Sequence, residues 1–162
     1  MADVFSKSKR SEVMSRIRSR GNKATELALA KLLRRHHLTG WRRQIQIITS
    51  PRPSPQSGEG VRVRPDFVFR KLQLTIFVDG CFWHGCPQHG TQPKGNRAFW
   101  RRKFSANKKR DRLVNRTLRK AGWRVLRIWE HELARKHEAR LLRRLLRARL
   151  CLTRMPSLSV GT

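Results

Sequence analysis

Residues 63 to 89 read Val-Arg-Pro-Asp-Phe-Val-Phe-Arg-Lys-Leu-Gln-Leu-Thr-Ile-Phe-Val-Asp-Gly-Cys-Phe-Trp-His-Gly-Cys-Pro-Gln-His. Two apolar runs, Val63–Phe69 and Leu74–Val78, have the length and the β-branched and aromatic content of strands. The segment between them, Arg70 to Gln73, reads as a hairpin turn. Each run carries an acid. Asp66 follows Pro65 inside the first, and Asp79 ends the second. Past Asp79 the chain enters a loop dense in chemistry. Cys81, Cys86 and His89 have Cys-x4-Cys-x2-His spacing, with His84 and the adjacent aromatics Phe82 and Trp83 interleaved. Metal ligands, acid, base and stacking surface therefore meet where a strand ends.

Outward from this stretch, the pattern predicts helices and further strands. Residues 6 to 20 fit a short basic helix that Gly21 breaks. Asn22 can cap a second helix reaching His36, with Leu29, Ala30, Leu32 and Leu33 inside. Glu26 shares that apolar face, where an acid needs a partner or a task. Residues 41 to 48 read as a strand. Residues 49 to 62, rich in Pro and Gly, read as a disordered or loop insertion within the domain. A long helix is expected from Arg97 to Ala121, closed by Gly122. Its inward stripe of Trp100, Phe104, Val114 and Leu118 is interrupted by two polar residues, Asn107 and Asp111. A strand over 123–129 and an amphipathic helix over 132–150 follow. The order predicts one α/β domain over residues 1–152, a mixed central sheet flanked by helices, and a disordered tail at 153–162.

Composition narrows the partners. The chain has 162 residues, with 39 Lys and Arg against 10 Asp and Glu, a formal net charge of +29. Such self-repulsion is relieved by a polyanion, and phosphate backbones are the usual one. No apolar run approaches a membrane span, and Met1 to Arg20 lacks a signal-peptide core. The expectation is a cytoplasmic, nucleoid-associated monomer with no membrane partner. Three cysteines do not make a disulfide framework.

The close thiols Cys81 and Cys86, with His89, suit a tetrahedral structural zinc, which needs a fourth ligand. His131 is the candidate, because it lies just past the strand at 123–129. The alternative is two buried free cysteines with surface histidines. Cys151 reads as packing.

A Pro-Asp in one strand and an acid at the end of its hairpin partner resemble the skeleton of restriction-endonuclease-like nucleases. There, two carboxylates hold Mg2+ against a scissile phosphate. The lysine that normally follows the second acid by two residues is here Cys81.

More specific runs extend the likeness. Arg64-Pro-Asp-Phe-Val-Phe69, Phe77-Val-Asp-Gly-Cys-Phe-Trp-His84, Phe99-Trp100, Lys109-Arg-Asp111 and Gly122-Trp-Arg-Val-Leu-Arg-Ile-Trp-Glu130 occur in order. Together they resemble the motifs of the very short patch repair DNA mismatch endonucleases, over about residues 1 to 135. The resemblance implies a restriction-endonuclease-like fold with a structural zinc. It implies a Mg2+-dependent nick in double-stranded DNA, 5′ of the thymine of a T:G mismatch left by deaminated 5-methylcytosine. It makes Asp66 the metal-binding carboxylate and Val78 the donor of a backbone carbonyl. It makes His84 the general base, with Glu26 and Asp111 bonded to metal-bound waters. Phe82, Trp83 and Trp100 become a wedge into the base stack.

The chain also departs from the pattern. Val78-Asp79 stands where some members have Thr-His, which offers Asp79 as a second metal carboxylate. The last zinc ligand, a cysteine in some members, is His131. The 49–62 insertion is longer than expected. Two other readings remain at this stage: a related zinc-containing nuclease with another DNA target, and a non-catalytic DNA-binding module. Against the second, Glu26, Asp66, Asp79 and Asp111 would each repel phosphate without an intervening cation.

Overall fold

In a computed structural model of the chain, the described residues are 25–49, 61–91, 93 and 95–150. The basic helix at 6–20, the Asn22 cap, most of the insertion, Cys151 and the 153–162 tail lie outside them. Helix α1 is Glu26–Arg35, α2 is Arg97–Lys120 and α3 is Glu138–Leu150. The strands are β1 Arg42–Arg43, β2 Ile47–Thr49, β3 Val61–Val63, β4 Phe67–Phe69, β5 Leu74–Asp79 and β6 Arg124–Trp129. A four-stranded sheet runs β1-β4-β5-β6. Its first three strands are antiparallel, and β6 joins β5 in parallel. The mixed α/β architecture is the one expected.

Local chemistry changes several boundaries. The strand expected at 41–48 is split, because Gln44 takes a left-handed φ of 55°. Arg42 and Arg43 pair with β4, while Ile47–Thr49 turn away to pair with β3. The strand expected over Val63–Phe69 breaks at Pro65, which has no N–H for a ladder. Thr49, Val61 and Arg62, assigned to the insertion, are strand residues with Thr49 opposite Val61. The turn at 70–73 is a 3-10 turn over Arg70–Leu72, closed by Gln73 at φ 43°. The helix expected from 132 begins only at Glu138, since extended Ala134 separates two 3-10 turns, Glu130–Leu133 and Arg135–His137.

Alternation along the strands gives the sheet two different faces. On one face, Phe67, Phe69, Leu74, Ile76 and Ile128 pack with Leu29, Leu32 and Leu33 of α1 and Leu141 and Leu145 of α3. All are essentially fully buried, each worth roughly 1.5–3 kcal/mol of transfer free energy. On the other face, Val68 packs with Leu118 of α2 and with Ile47 and Val63 of the β2–β3 ladder. Phe77, Val114, Trp123 and Val125 extend that cluster. Helix α2 thus packs on this face of the sheet, and Gly122, at φ 80°, turns the chain from α2 into β6. Among the described residues, no helix is long and apolar enough to cross a membrane.

Candidate active site and metal centre

The break at Pro65 takes Asp66 out of the ladder, so its side chain rather than its backbone meets β5. The Val78 N–H donates to Asp66 Oδ2 at 2.7 Å. An extended residue aims its N–H and C=O at the same neighbour, so the Val78 carbonyl lies on the same side of β5 as that amide. Burial pushes the Asp66 carboxyl up to about 6, and the negative charges of Glu26 and Asp79 add to this. The Val78 amide and the Arg127 charge oppose the rise without cancelling it.

Glu26, only 4 % exposed, is paired with Arg43 at 2.6 Å. That contact supplies the partner its position on the apolar face requires. Asn107 donates to the Trp83 carbonyl at 2.8 Å, pinning the loop after β5 to α2. One turn further along α2, Asp111 Oδ2 lies 2.6 Å from His84 Nδ1. The two polar interruptions of the α2 stripe therefore both face the cleft. Against the upward push of burial, the His84 hydrogen bond and the Arg127 charge hold Asp111 below its usual value, so it is ionised. A carboxylate only accepts, so Nδ1 carries the hydrogen of this contact.

Arg127 is the residue that sequence reasoning missed. It donates from Nε to Asp79 Oδ2 and from Nη2 to Asp79 Oδ1, both at 2.6 Å. Nη2 also lies 3.0 Å from Asp111 Oδ1, and Nη1 donates to Asn115 at 3.2 Å. The guanidinium sits 5.0 Å from the centre of the Phe77 ring, the residue opposite it in the parallel ladder. Burial alone would lower its pKa, but Asp79 and Asp111 raise it. The signal was present in the sequence, a cation inside a strand on the same alternation as Val125 and Trp129, all three half-buried. Arg43 was missed likewise.

Asp66, Val78, Asp79, His84 and Asp111, with Glu26 and Arg127, line one open cleft of about 590 Å³. Arg62, Arg64, Lys103 and Arg110 share its walls. Beside it the aromatics cluster. Phe82 packs edge-on against Trp83, Trp100 and Phe104, with ring centres 5.1, 5.2 and 5.5 Å apart. Trp83 and Trp100 are 6.2 Å apart, and Phe99, 46 % exposed, extends the cluster to the surface. The three residues expected to act together are together; Phe99 and Phe104 are additions.

The loop after β5 coils on itself. The Cys86 N–H donates to Cys81 O at 2.9 Å and the Gly90 N–H to Cys86 O at 2.8 Å. A Cβ on Gly90 would lie 2.4 Å from the Cys86 carbonyl oxygen, so only glycine fits there. This brings Cys81, Cys86, His89 and His131 together, with one donor atom from each within 4.8 Å of the others. His131 Nδ1 is 3.2 Å from Cys81 Sγ and 3.6 Å from Cys86 Sγ, and His89 Nδ1 is 4.0 Å from Cys86 Sγ. A tetrahedral ion with ordinary Zn–S and Zn–N bonds sets such S···N edges at roughly 3.5 Å. The convergence arises because β5 and β6 run parallel, with Asp79 opposite Trp129 at their common end.

Comparison with known proteins agrees with this geometry. Residues 56–89 match the family model described as DNA mismatch endonuclease Vsr. The chain is 56% identical over 75 residues to the type II nicking enzyme V.NaeI of Lentzea aerocolonigenes, covering 46% of this chain and 45% of that protein. It is 34% identical over 138 residues to the type II nicking enzyme V.XorIIP of Xanthomonas oryzae pv. oryzae, covering 83% of this chain and 88% of that protein. It is 36% identical over 131 residues to the DNA mismatch endonuclease Vsr of Escherichia coli K12, covering 80% of this chain and 74% of that protein. Its match to V.NaeI thus spans about half of that relative, whereas the other two are matched over most of their length. With the family model matching residues 56–89 and a Vsr endonuclease 36% identical over 80% of this chain and 74% of its own length, the chain belongs to the Vsr DNA mismatch endonuclease family.

Proposed function

We propose that this protein is a Mg2+-dependent endonuclease that nicks one strand of double-stranded DNA on the 5′ side of the thymine in a T:G mismatch. The observation that carries the reading is the pairing of His84 with ionised Asp111 in the cleft that holds Asp66. The relatives' names, nicking enzymes and a mismatch endonuclease, point the same way.

The residues fit a divalent cation. Asp66 is a half-buried acid with negative neighbours, the situation a cation relieves, and the Val78 carbonyl lies on the same side of β5 as the amide that binds Asp66. When bound there, Mg2+ supplies positive charge to the phosphate as negative charge develops on it. Glu26 lines the same cleft and would bond water around that cation. His84 Nε2 takes a proton from the attacking water, whose oxygen forms the new P–O bond as the bond to the leaving sugar oxygen breaks. Asp111 steadies the charge His84 acquires. Arg62, Arg64, Lys103 and Arg110 attract the backbone without reading sequence. Phe82, Trp83 and Trp100 enter the stack beside the mispair, where opening costs less. A structural zinc at Cys81, Cys86, His89 and His131 holds the loop that carries the aromatics and His84. The mixed sheet with acids at the ends of β4 and β5 supports a restriction-endonuclease-like fold, and the chain acts as a monomer.

The test is a labelled duplex with one T:G mismatch beside its matched counterpart, each with Mg2+ or EDTA. A single nick, only in the thymine strand of the mismatched duplex and only with Mg2+, is expected. Equal nicking of both duplexes points instead to a related nuclease with another target. Binding without nicking points to a non-catalytic module.

A further inference from the structure

Arg127 stands within the cleft with every side-chain nitrogen engaged. Both Asp79 oxygens face its fork, at 2.6 Å each, in a bidentate pair that is mostly buried. Its Nη2 bridges Asp79 to Asp111, which in turn holds His84. Asp66 lies outside this chain of contacts; its Oδ2 takes the Val78 amide. The four carboxylates lining the cleft thus fall into two sets. Asp79 and Asp111 share a protein cation, Glu26 has Arg43, and Asp66 has no Arg or Lys hydrogen-bonded to it among the described residues.

We infer that Arg127 is a positioning residue that keeps Asp79 out of the metal's ligand set and aligns Asp111 behind His84, so that Asp66 is the only carboxylate that binds the divalent cation directly. This rests on the active-site reading above and adds to it a division of labour. A buried carboxylate already met by a bidentate guanidinium gains little from a second cation. Stripped of Arg127 it becomes an uncompensated charge close to Asp66, and divalent-ion affinity rises with the ligand charge available.

Titration of Mg2+ or Mn2+ into the purified protein without DNA, followed by calorimetry, separates the outcomes. Asp66→Asn is expected to lower affinity at least about tenfold. Asp79→Asn is expected to leave it within about threefold of the starting protein. Arg127→Met is expected to raise affinity, or add a second site, while slowing nicking; disruption of the fold would not tighten metal binding. Adding Asp79→Asn to Arg127→Met should remove the gain, and Arg127→Lys should restore part of the nicking. A loss on Asp79→Asn as deep as that on Asp66→Asn overturns the inference while leaving the metal site intact. Undiminished binding by Asp66→Asn instead sinks the active-site reading. If Arg127→Met does not fold, the Asp66→Asn and Asp79→Asn pair still decides.

Discussion

At the scale of single residues, the cleft is defined by which groups are charged. Asp66→Ala removes the carboxylate the cation needs. Nicking should fall about a thousandfold or more, the effect of losing several kcal/mol of charge stabilisation. DNA binding measured by gel shift should persist or tighten, since a negative charge facing phosphate is gone. Nicking at an unchanged rate would contradict the assignment. Because Asp66 is held at about 6 rather than 3.8, it also confers a pH dependence. In the metal-free protein the folded state favours the protonated acid, so stability falls as pH rises from 3.8 to about 6. Metal binding must expel that proton below about 6, so Mg2+ affinity should drop about tenfold per pH unit there and level off above. A flat affinity between pH 5 and 7 would show that metal binding expels no proton from an acid held near 6. Much of this was legible in the sequence, because in a chain with 10 acids each one is conspicuous. Glu26 on an apolar face and Asp111 in an apolar stripe were visible as anomalies. Their partners were not, since Arg43 and Arg127 come close to them only through strand pairing.

At the scale of elements, helix α2 is the part that joins the two chemistries. Its Asn107 and Asp111 fix the loop at Trp83 and His84, and its first turns supply Trp100 and Phe104 to the aromatic cluster. Trp83→Ala should therefore weaken binding to a T:G duplex at fixed salt by roughly 1–3 kcal/mol, the scale of one stacked ring. Matched duplex should be bound much as before. An equal loss on both, read by fluorescence anisotropy, would place discrimination elsewhere. Helix periodicity located α2 within a residue at each end, because 3.6-residue repetition and a closing glycine are local signals. The strands were harder. Whether residues 41 to 48 form one strand or two depends on a left-handed Gln44 and a proline in the facing strand. Neither effect is readable in a run of hydrophobicity. The start of α3 was missed for a similar reason, since the 3-10 turn at Glu130–Leu133 is held by Glu132 accepting from the Trp129 N–H.

At the scale of the whole molecule, the Cys/His centre ties the end of β5 to the residue just beyond β6. If it holds zinc, metal analysis should return about one ion per chain. Prolonged chelation should then lower the melting temperature by several degrees and abolish nicking, with refolding on returning zinc. A fully folded, zinc-free protein would exclude the role. The β2–β3 ladder has a different bearing. Thr49 and Val61 are cross-strand partners, and the Thr49 hydroxyl donates to the Val61 carbonyl at 2.9 Å. The two ends of that ladder are therefore held side by side, next to Arg62 and Val63 at the wall of the cleft. The placement of Arg62 and Val63 at the cleft wall is thereby set by cross-strand pairing, with Ile48 opposite Arg62 and Ile47 opposite Val63, and not by how many residues separate Thr49 from Val61 in the chain.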